Sequence, residues 1–224
     1  MRIMSIALGG CLRPPPIAFG LTADTGGHLT YLWGAAEALS RLDRVEHVEI
    51  VTRLIQDPAL GSEYASPLDQ IGEKLAIRRV ATANTAYLSK EAAAEDRPAF
   101  IAALIADLES RQRLPDVVHA HFADAAEVAI AIRERFGIPF IYTAHSLATD
   151  KAACGVVTDD LAQRLALEDK AIGAADAIIA SSRDEAERQL MRYPSADAAR
   201  IWRVTPGAVL DRSLSIGSER ARAA

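Results

Sequence analysis

Residues 116–146, DVVHAHFADAAEVAIAIRERFGIPFIYTAHS, carry the reading that decides the fold class. Two short apolar runs, 116–120 and 138–143, have strand length, and the intervening 125–136 has helical spacing. Pro115 and Pro139 stand at the strand starts, where a missing N–H donor is tolerated. The same alternation continues on both sides. Residues 3–8 read as a first strand, followed by a Gly/Pro-rich loop to Gly20. From Thr25 a helix begins, with Leu29, Leu32, Trp33, Ala36 and Leu39 on one stripe; Asp24 or Thr25 is its expected N-cap, and Gly26-Gly27 lie in the entry turn. Residues 47–52 read as a strand, and an irregular stretch with Pro58, Gly61, Pro67 and Gly72 leads to a strand over 74–80. A helix is expected over 98–113. Beyond the central unit follow a helix over 158–173, a strand over 177–180, a helix over 183–191 and a last strand over 201–204. Strands alternating with helices imply an α/β domain with a mostly parallel sheet covered on both faces.

Composition limits the function classes. Half of the 224 residues are apolar and a quarter are charged, enough for a sizeable core. A net charge of −5 argues against a general nucleic-acid binder. The opening MRIMSIALGG is too short for a secretory apolar region and is followed by Pro14-Pro15-Pro16, so it reads as a buried strand. No window reaches the roughly 18 apolar residues of a membrane span. Cys11 and Cys154 have neither a CxxC nor a zinc-finger spacing and read as reduced thiols, which points to a cytoplasmic protein without membrane or nucleic-acid partners.

In open parallel sheets, ligands bind beyond the carboxyl ends of the strands. Polar clusters fall there: TADTGG after the first strand, then HAHFAD, TAHSLATDK and SSRDE. Gly26 and Gly27 before a helix suit close approach of an anion, and they suit an ordinary turn and cap equally. The pattern is neither GxGxxG nor a Walker loop. His119 and His121 lie at i and i+2 on a strand and so face one way. With Asp124 or His145 they could approach a metal, although satisfied polar residues at a strand end are the commoner case. His145-Ser146 lacks the GxSxG elbow of a hydrolase nucleophile. His145 reads instead as a neutral hydrogen-bonding or charge-stabilising residue on the cleft floor. Lys90 and Lys151 lie in expected loops, and Arg164 opens a helix; converging, they would clamp a phosphate.

In order along the chain, these segments resemble the sucrose-phosphate synthase group of family 4-type glycosyltransferases. Asp24-Thr25-Gly26-Gly27 with Tyr31 and Ala38-Leu39 looks like D-T-G-G-Q-x-x-Y…A-x-x-L-A. HAHFADA at 119–125 looks like the H-x-H/N-Y-A-D-A/G strand end, and TAHSLATDK at 143–151 looks like T-G-H-S-L-G-x-x-K. Arg164, Leu165 and Glu168 match R-I-x-x-E, and residues 180–185 with Gln189 and Tyr193 match I-T-S-T-x-x-E…Q…Y. Val204-Thr205-Pro206-Gly207 looks like V-I-P-P-G, one proline short.

The resemblance implies a Rossmann-like domain over 1–207, the N-terminal, acceptor-side half of a GT-B fold, with a polar tail over 208–224 and no donor-binding domain within these 224 residues. It implies a retaining hexosyl transfer from a nucleotide sugar such as UDP-glucose to a sugar phosphate such as fructose 6-phosphate. No redox cofactor and no built-in metal are implied. Gly26 and Gly27 would border the donor diphosphate and the acceptor, and His28, standing for the usual glutamine, would join them. Lys90 would meet the acceptor phosphate, helped by Lys151 and Arg164. Asp124 would hold an acceptor hydroxyl, and His145 would be the catalytic residue beside the transferred sugar. Two glycines of the family pattern are Ala144 and Ala148 here, and the basic residue expected before the first loop is absent, which bears on acceptor choice.

Alone, such a half is expected to be inactive or nearly so, with the donor domain on a partner chain or self-association through an exposed apolar face. A stand-alone sugar-phosphate-binding regulatory module is the alternative. A metal-dependent hydrolase using His119, His121 and His145 is a third.

Overall fold

A computed structural model describes residues 1–153 and 158–207; Cys154 and the expected tail over 208–224 lie outside the described residues. The strands are β1 (Arg2–Ile6), β2 (His47–Arg53), β3 (Leu68–Gln70), β4 (Leu75–Val80), β5 (Val117–His121), β6 (Phe140–Thr143), β7 (Ala177–Ala180) and β8 (Ile201–Arg203). The helices are α1 (Gly27–Ser40), α2 (Lys90–Glu109), α3 (Phe122–Phe136), α4 (Thr149–Ala153) and α5 (Asp159–Ala174). One sheet runs in the order β3-β4-β2-β1-β5-β6-β7-β8. All pairs are parallel except β3 with β4. From β1 the chain first builds outward through β2 to β4. It then returns through α2 to β5 on the other side of β1 and continues outward to β8. The order therefore reverses at β1/β5, where the carboxyl ends of the strands open a crevice.

Alternation along the strands sorts the core into two layers. Met4, Ile6, Val118, Ala120, Phe140 and Tyr142 pack against α2, α3 and α5. Ile3, Val48, Ile50, Leu75 and Ile77 pack against Leu29, Leu32, Trp33 and Ala36 of α1. The α3 helix stops at Gly137, whose φ of 71° is the left-handed conformation that glycine adopts without steric cost. Among the described residues no helix is long and apolar enough to cross a membrane.

Four local expectations are corrected. The α1 helix is capped by Gly26 with no side-chain hydrogen bond, because the Asp24 carboxylate and the Thr25 hydroxyl are used on the Gly10 and Cys11 N–H groups. The α2 helix begins at Lys90 and ends at Glu109, with Ser89 accepting from the Ala92 N–H and Pro98 inside it. Its first two turns, KEAAAEDR, lack the apolar period that marks a helix in sequence. Lys90 is thus a first-turn residue, not a loop residue; Lys151 lies in α4, and Arg164 lies in the second turn of α5. The helix expected over 183–191 widens into a π-turn (Glu185–Gln189) and tightens into a 3-10 turn (Leu190–Arg192). Pro194 bars further helix, and the tight turn returns Tyr193 to the core.

Candidate functional site

The crevice at β1/β5 is built first by the loop between β1 and α1. Asp24 gathers it: one carboxylate oxygen accepts from the Gly10 N–H at 2.8 Å, the other from Thr22 Oγ1 at 2.6 Å and Tyr87 Oη at 2.7 Å. Burial pushes the Asp24 carboxyl upward, but these donors together outweigh it and hold it below the usual carboxylate range. Its partner Tyr87 is pushed up to about 12 by burial and by that hydrogen bond. Thr25 Oγ1 accepts from the Cys11 N–H at 2.9 Å, which closes the loop. Gly26 and Gly27 are thereby set at the start of α1, whose first turn has no acidic residue and no capping side chain. Its N–H groups are open to an anion.

Gly10 is the weak point of this arrangement. Its φ is +84°, and a Cβ there would meet the Asp24 carbonyl oxygen at 2.9 Å and Leu29 Cδ1 at 3.0 Å. Gly10→Ala should therefore cost about 1–3 kcal/mol from the forced left-handed conformation, with the clash added. Thermal unfolding reads this directly, and an unshifted midpoint would show that the loop is not held as described.

The second wall is a group of four imidazoles. His119 and His121 alternate with Val118 and Ala120, so they fall on the face that α1 covers, and both are buried. His119 Nε2 meets Thr143 Oγ1 at 2.8 Å, and His121 Nδ1 meets His145 Nε2 at 2.8 Å. His28 Nε2 lies 3.3 Å from the Gly9 carbonyl, which can only accept, so Nε2 carries the proton there. Phe122 and Tyr31 complete the box, their ring centroids 4.9 and 5.0 Å from that of His145. Phe122 and His145 have φ values of 69° and 57°, conformations that non-glycine residues hold only when the surroundings enforce them. Burial depresses all four imidazoles. His119 is pulled to about 4, and His145 to about 3 with a further contribution from its histidine neighbours. His121 falls well below, and His28 is lowered against the opposing Gly9 carbonyl and Asp24. At neutral pH the wall is uncharged. Because Nδ1 of His121 and Nε2 of His145 are bonded to each other, they do not converge on a common point. Among the described residues no three His, Cys, Asp or Glu side chains gather as a metal cage.

The loop carrying His145 is pinned from α5. Glu168, buried, accepts from the Ala148 N–H at 3.0 Å, from Arg164 Nε at 2.8 Å and from the Tyr193 hydroxyl. Arg164 also reaches Ser146 Oγ at 3.0 Å. Two edges of its guanidinium are thus turned on the protein beside His145. On the other flank, buried Arg53 at the end of β2 holds Asp96 at 2.8 Å and so fixes the start of α2. Asp124 opens α3, accepting the Ala125 N–H at 2.8 Å. Burial raises its carboxyl, opposed by that N–H and by the positive charges of Arg97 and Lys90. Lys90 and Asp124 are therefore electrostatic neighbours, with the Lys90 side chain exposed.

The structure thus brings Gly26, Gly27, His28 and His145 to one crevice. Lys90 stands at the start of α2 and Asp124 in the first turn of α3, Arg164 bonds Ser146 beside His145, and α4, which contains Lys151, directly follows the His145 loop. Sequence reasoning missed Thr143 as the partner of His119 and Tyr87 as a support of Asp24, 63 residues away. For Tyr87 no local signal exists. A cavity of about 570 Å³ at the opposite, amino-terminal end of the strands is lined by Arg2, Arg78, Arg111 and Arg113. Each of these is ion-paired with Glu46, Glu49 or Asp107.

Residues 26–207 match the family described as the glycosyl transferase 4-like domain. The chain is 32% identical over 199 residues to D-inositol 3-phosphate glycosyltransferase of Gordonia bronchialis, covering 88% of this chain and 42% of that protein. It is 26% identical over 229 residues to sucrose-phosphate synthase 4 of Arabidopsis thaliana, again over 88% of this chain but 22% of that one. The solved sucrose-phosphate synthase of Thermosynechococcus elongatus superimposes with a TM-score of 0.71 at 20% identity, over 96% of this chain and 52% of that one. The chain thus spans about half the length of these relatives or less.

Proposed function

Since the chain belongs to the glycosyl transferase 4-like family, we propose that it is the acceptor-binding half of a retaining hexosyltransferase. The acceptor is a phosphorylated sugar or cyclitol, and the donor is a nucleotide sugar such as UDP-glucose. One observation carries this reading. An exposed ammonium at Lys90 lies within electrostatic reach of the half-buried Asp124 carboxyl, near a crevice lined by neutral imidazoles and a helix start without a capping side chain. A phosphate pairs with Lys90 and a ring hydroxyl with Asp124. The neutral floor then accepts the transferred sugar without an ionic competitor. Gly26, Gly27 and His28 border the donor diphosphate, and Lys151 and Arg164 flank the acceptor. His145 is the catalytic residue, donating a hydrogen bond to a hydroxyl of the hexosyl group and so holding it in place for transfer.

The donor's nucleotide is held by a second domain, supplied by further residues of the same protein or by a partner chain. Without that domain the crevice stays open to water, so these 224 residues bind acceptor and transfer nothing. Adding a donor domain restores transfer, which separates this reading from a purely regulatory module.

The test is calorimetric titration with fructose 6-phosphate and with D-inositol 3-phosphate, with plain fructose and inorganic phosphate as controls. Saturable binding that requires both ring and phosphate is expected. Lys90→Ala should weaken it about 10- to 100-fold, the range for one lost charged hydrogen bond. Equal heats from fructose and fructose 6-phosphate, or an unchanged affinity in the variant, would sink the proposal.

A further inference from the structure

His121 has no role in the transfer proposed for this crevice, yet it makes the closest polar contact to His145. Its Nδ1 lies 2.8 Å from His145 Nε2, with ring centroids 5.1 Å apart and ring planes 20° apart. The centroid separation exceeds the N···N separation by about two ring radii, so both nitrogens lie on the line between the ring centres. The rings therefore meet edge to edge, not face to face, and the bond runs along the directions in which an imidazole N–H and lone pair point. Nothing about the ring positions is loose. His121 is 1% exposed, and His145 is boxed by Phe122, Tyr31 and His28.

Two neutral imidazoles joined in this way have one proton between the facing nitrogens, and two arrangements are open. In the first, His145 donates from Nε2, and the proton of His121 must then sit on its own Nε2. That nitrogen is buried and has no hydrogen-bond partner. In the second, His121 donates from Nδ1, and its buried Nε2 is a bare lone pair. Orphaned buried N–H groups are rare in folded proteins, which favours the second. In the second arrangement the proton of His145 is on Nδ1, the one ring nitrogen not turned on His121.

We propose that His121 is a positioning residue that fixes the tautomer of His145, donating from Nδ1 to His145 Nε2 so that His145 presents Nδ1–H to the crevice as a donor. The role in transfer rests on the transferase reading; the tautomer itself does not. The same arrangement accounts for a second histidine at a strand end without a metal between the two rings.

The experiment is long-range ¹⁵N–¹H correlation of the histidine side chains in the uniformly labelled chain near pH 7.5. Pyrrole-type and pyridine-type nitrogens are far apart in their ¹⁵N resonances, so each tautomer is read directly. The expected result is a protonated Nδ1 and a bare Nε2 on both His121 and His145. A protonated Nε2 on His145 overturns the proposal, whatever the sugar-phosphate titration shows. His121→Asn, whose amide can place an N–H near the Nδ1 position, should keep Nδ1–H on His145. His121→Leu should release it to a mixture of tautomers. An unchanged His145 spectrum in His121→Leu also overturns the proposal, and urea midpoints establish that both variants fold. Because the unsubstituted chain gives the decisive spectrum, an unfolded variant does not remove the test. Acceptor binding without the expected tautomer would leave the transferase reading standing, and the tautomer without acceptor binding would do the reverse.

Discussion

Glu168→Ala should lower the free energy of unfolding by about 3–5 kcal/mol, the range for stripping one partner from a buried ionic cluster. Three donors depend on that carboxylate: the Ala148 N–H, Arg164 Nε and the Tyr193 hydroxyl. Alanine would leave the buried Ala148 N–H and Tyr193 hydroxyl unpaired around a new cavity and strip the Arg164 charge of its carboxylate partner. Domains are stable by only about 5–15 kcal/mol, so this is a large fraction of the whole. The effect would also reach the crevice, because the Ala148 N–H anchors the loop on which His145 sits with its φ of 57°. Acceptor affinity should fall along with stability. Glu168→Gln keeps the shape and an acceptor oxygen and should cost about 1–3 kcal/mol. Urea unfolding with an unchanged slope reads both values. A loss below about 1 kcal/mol in the alanine variant would mean that the loop is held by something else.

Mild acid should destabilise the fold steeply, through the four imidazoles. Each has a folded pKa below the ordinary 6.5: His119 about 4, His145 about 3, and His28 and His121 lowered by burial. Between 6.5 and those values the unfolded chain binds more protons than the native one. Stability therefore rises with pH through this window, is full above it, and is lost as the pH falls below 6.5. Each proton bound only by the unfolded chain costs the fold about 1.4 kcal/mol for every pH step of one, so His119 and His145 together account for a loss on the order of 6 kcal/mol by about pH 4. Asp24, held below the carboxylate range, loses its contribution only as the pH falls through that range, while Asp124, raised by burial, acts in the opposite sense, and His47, lowered by burial, adds to the slope of the four. Urea midpoints at several pH values from about 7.5 to about 4.5 would trace the loss. His119→Gln should flatten the slope by close to one proton, and a slope unaffected by that substitution would refute the assignment.

The alternation of elements was legible because burial imposes different periods on strands and helices, and those periods survive in the order of residues. The strand over 177–180 has the same bounds in sequence and structure, and the central strand–helix–strand unit is displaced by a few residues at its ends. The short strand β3 was not legible. It has only three residues, of which Leu68 and Gln70 are exposed, so no apolar alternation announces it. The extra turns of α2 were hidden because KEAAAEDR buries no periodic apolar face and Pro98 looks like a helix start rather than an interior residue.

For the site, local order placed DTGG, HAHFAD and TAHSLATDK at strand ends, and the matches in series carried the family. What sequence alone determined about this chain is therefore its layer architecture and the edge of the sheet where chemistry gathers, because both follow from short-range periodicity and strand polarity. Only the tertiary structure decided how the polar groups pair. His121 meets His145 across 24 residues, Tyr87 meets Asp24 across 63, and Glu168 holds Ala148 across 20. Those contacts depend on side-chain direction after the strands are in register, a distance-dependent property that no local pattern of residues encodes.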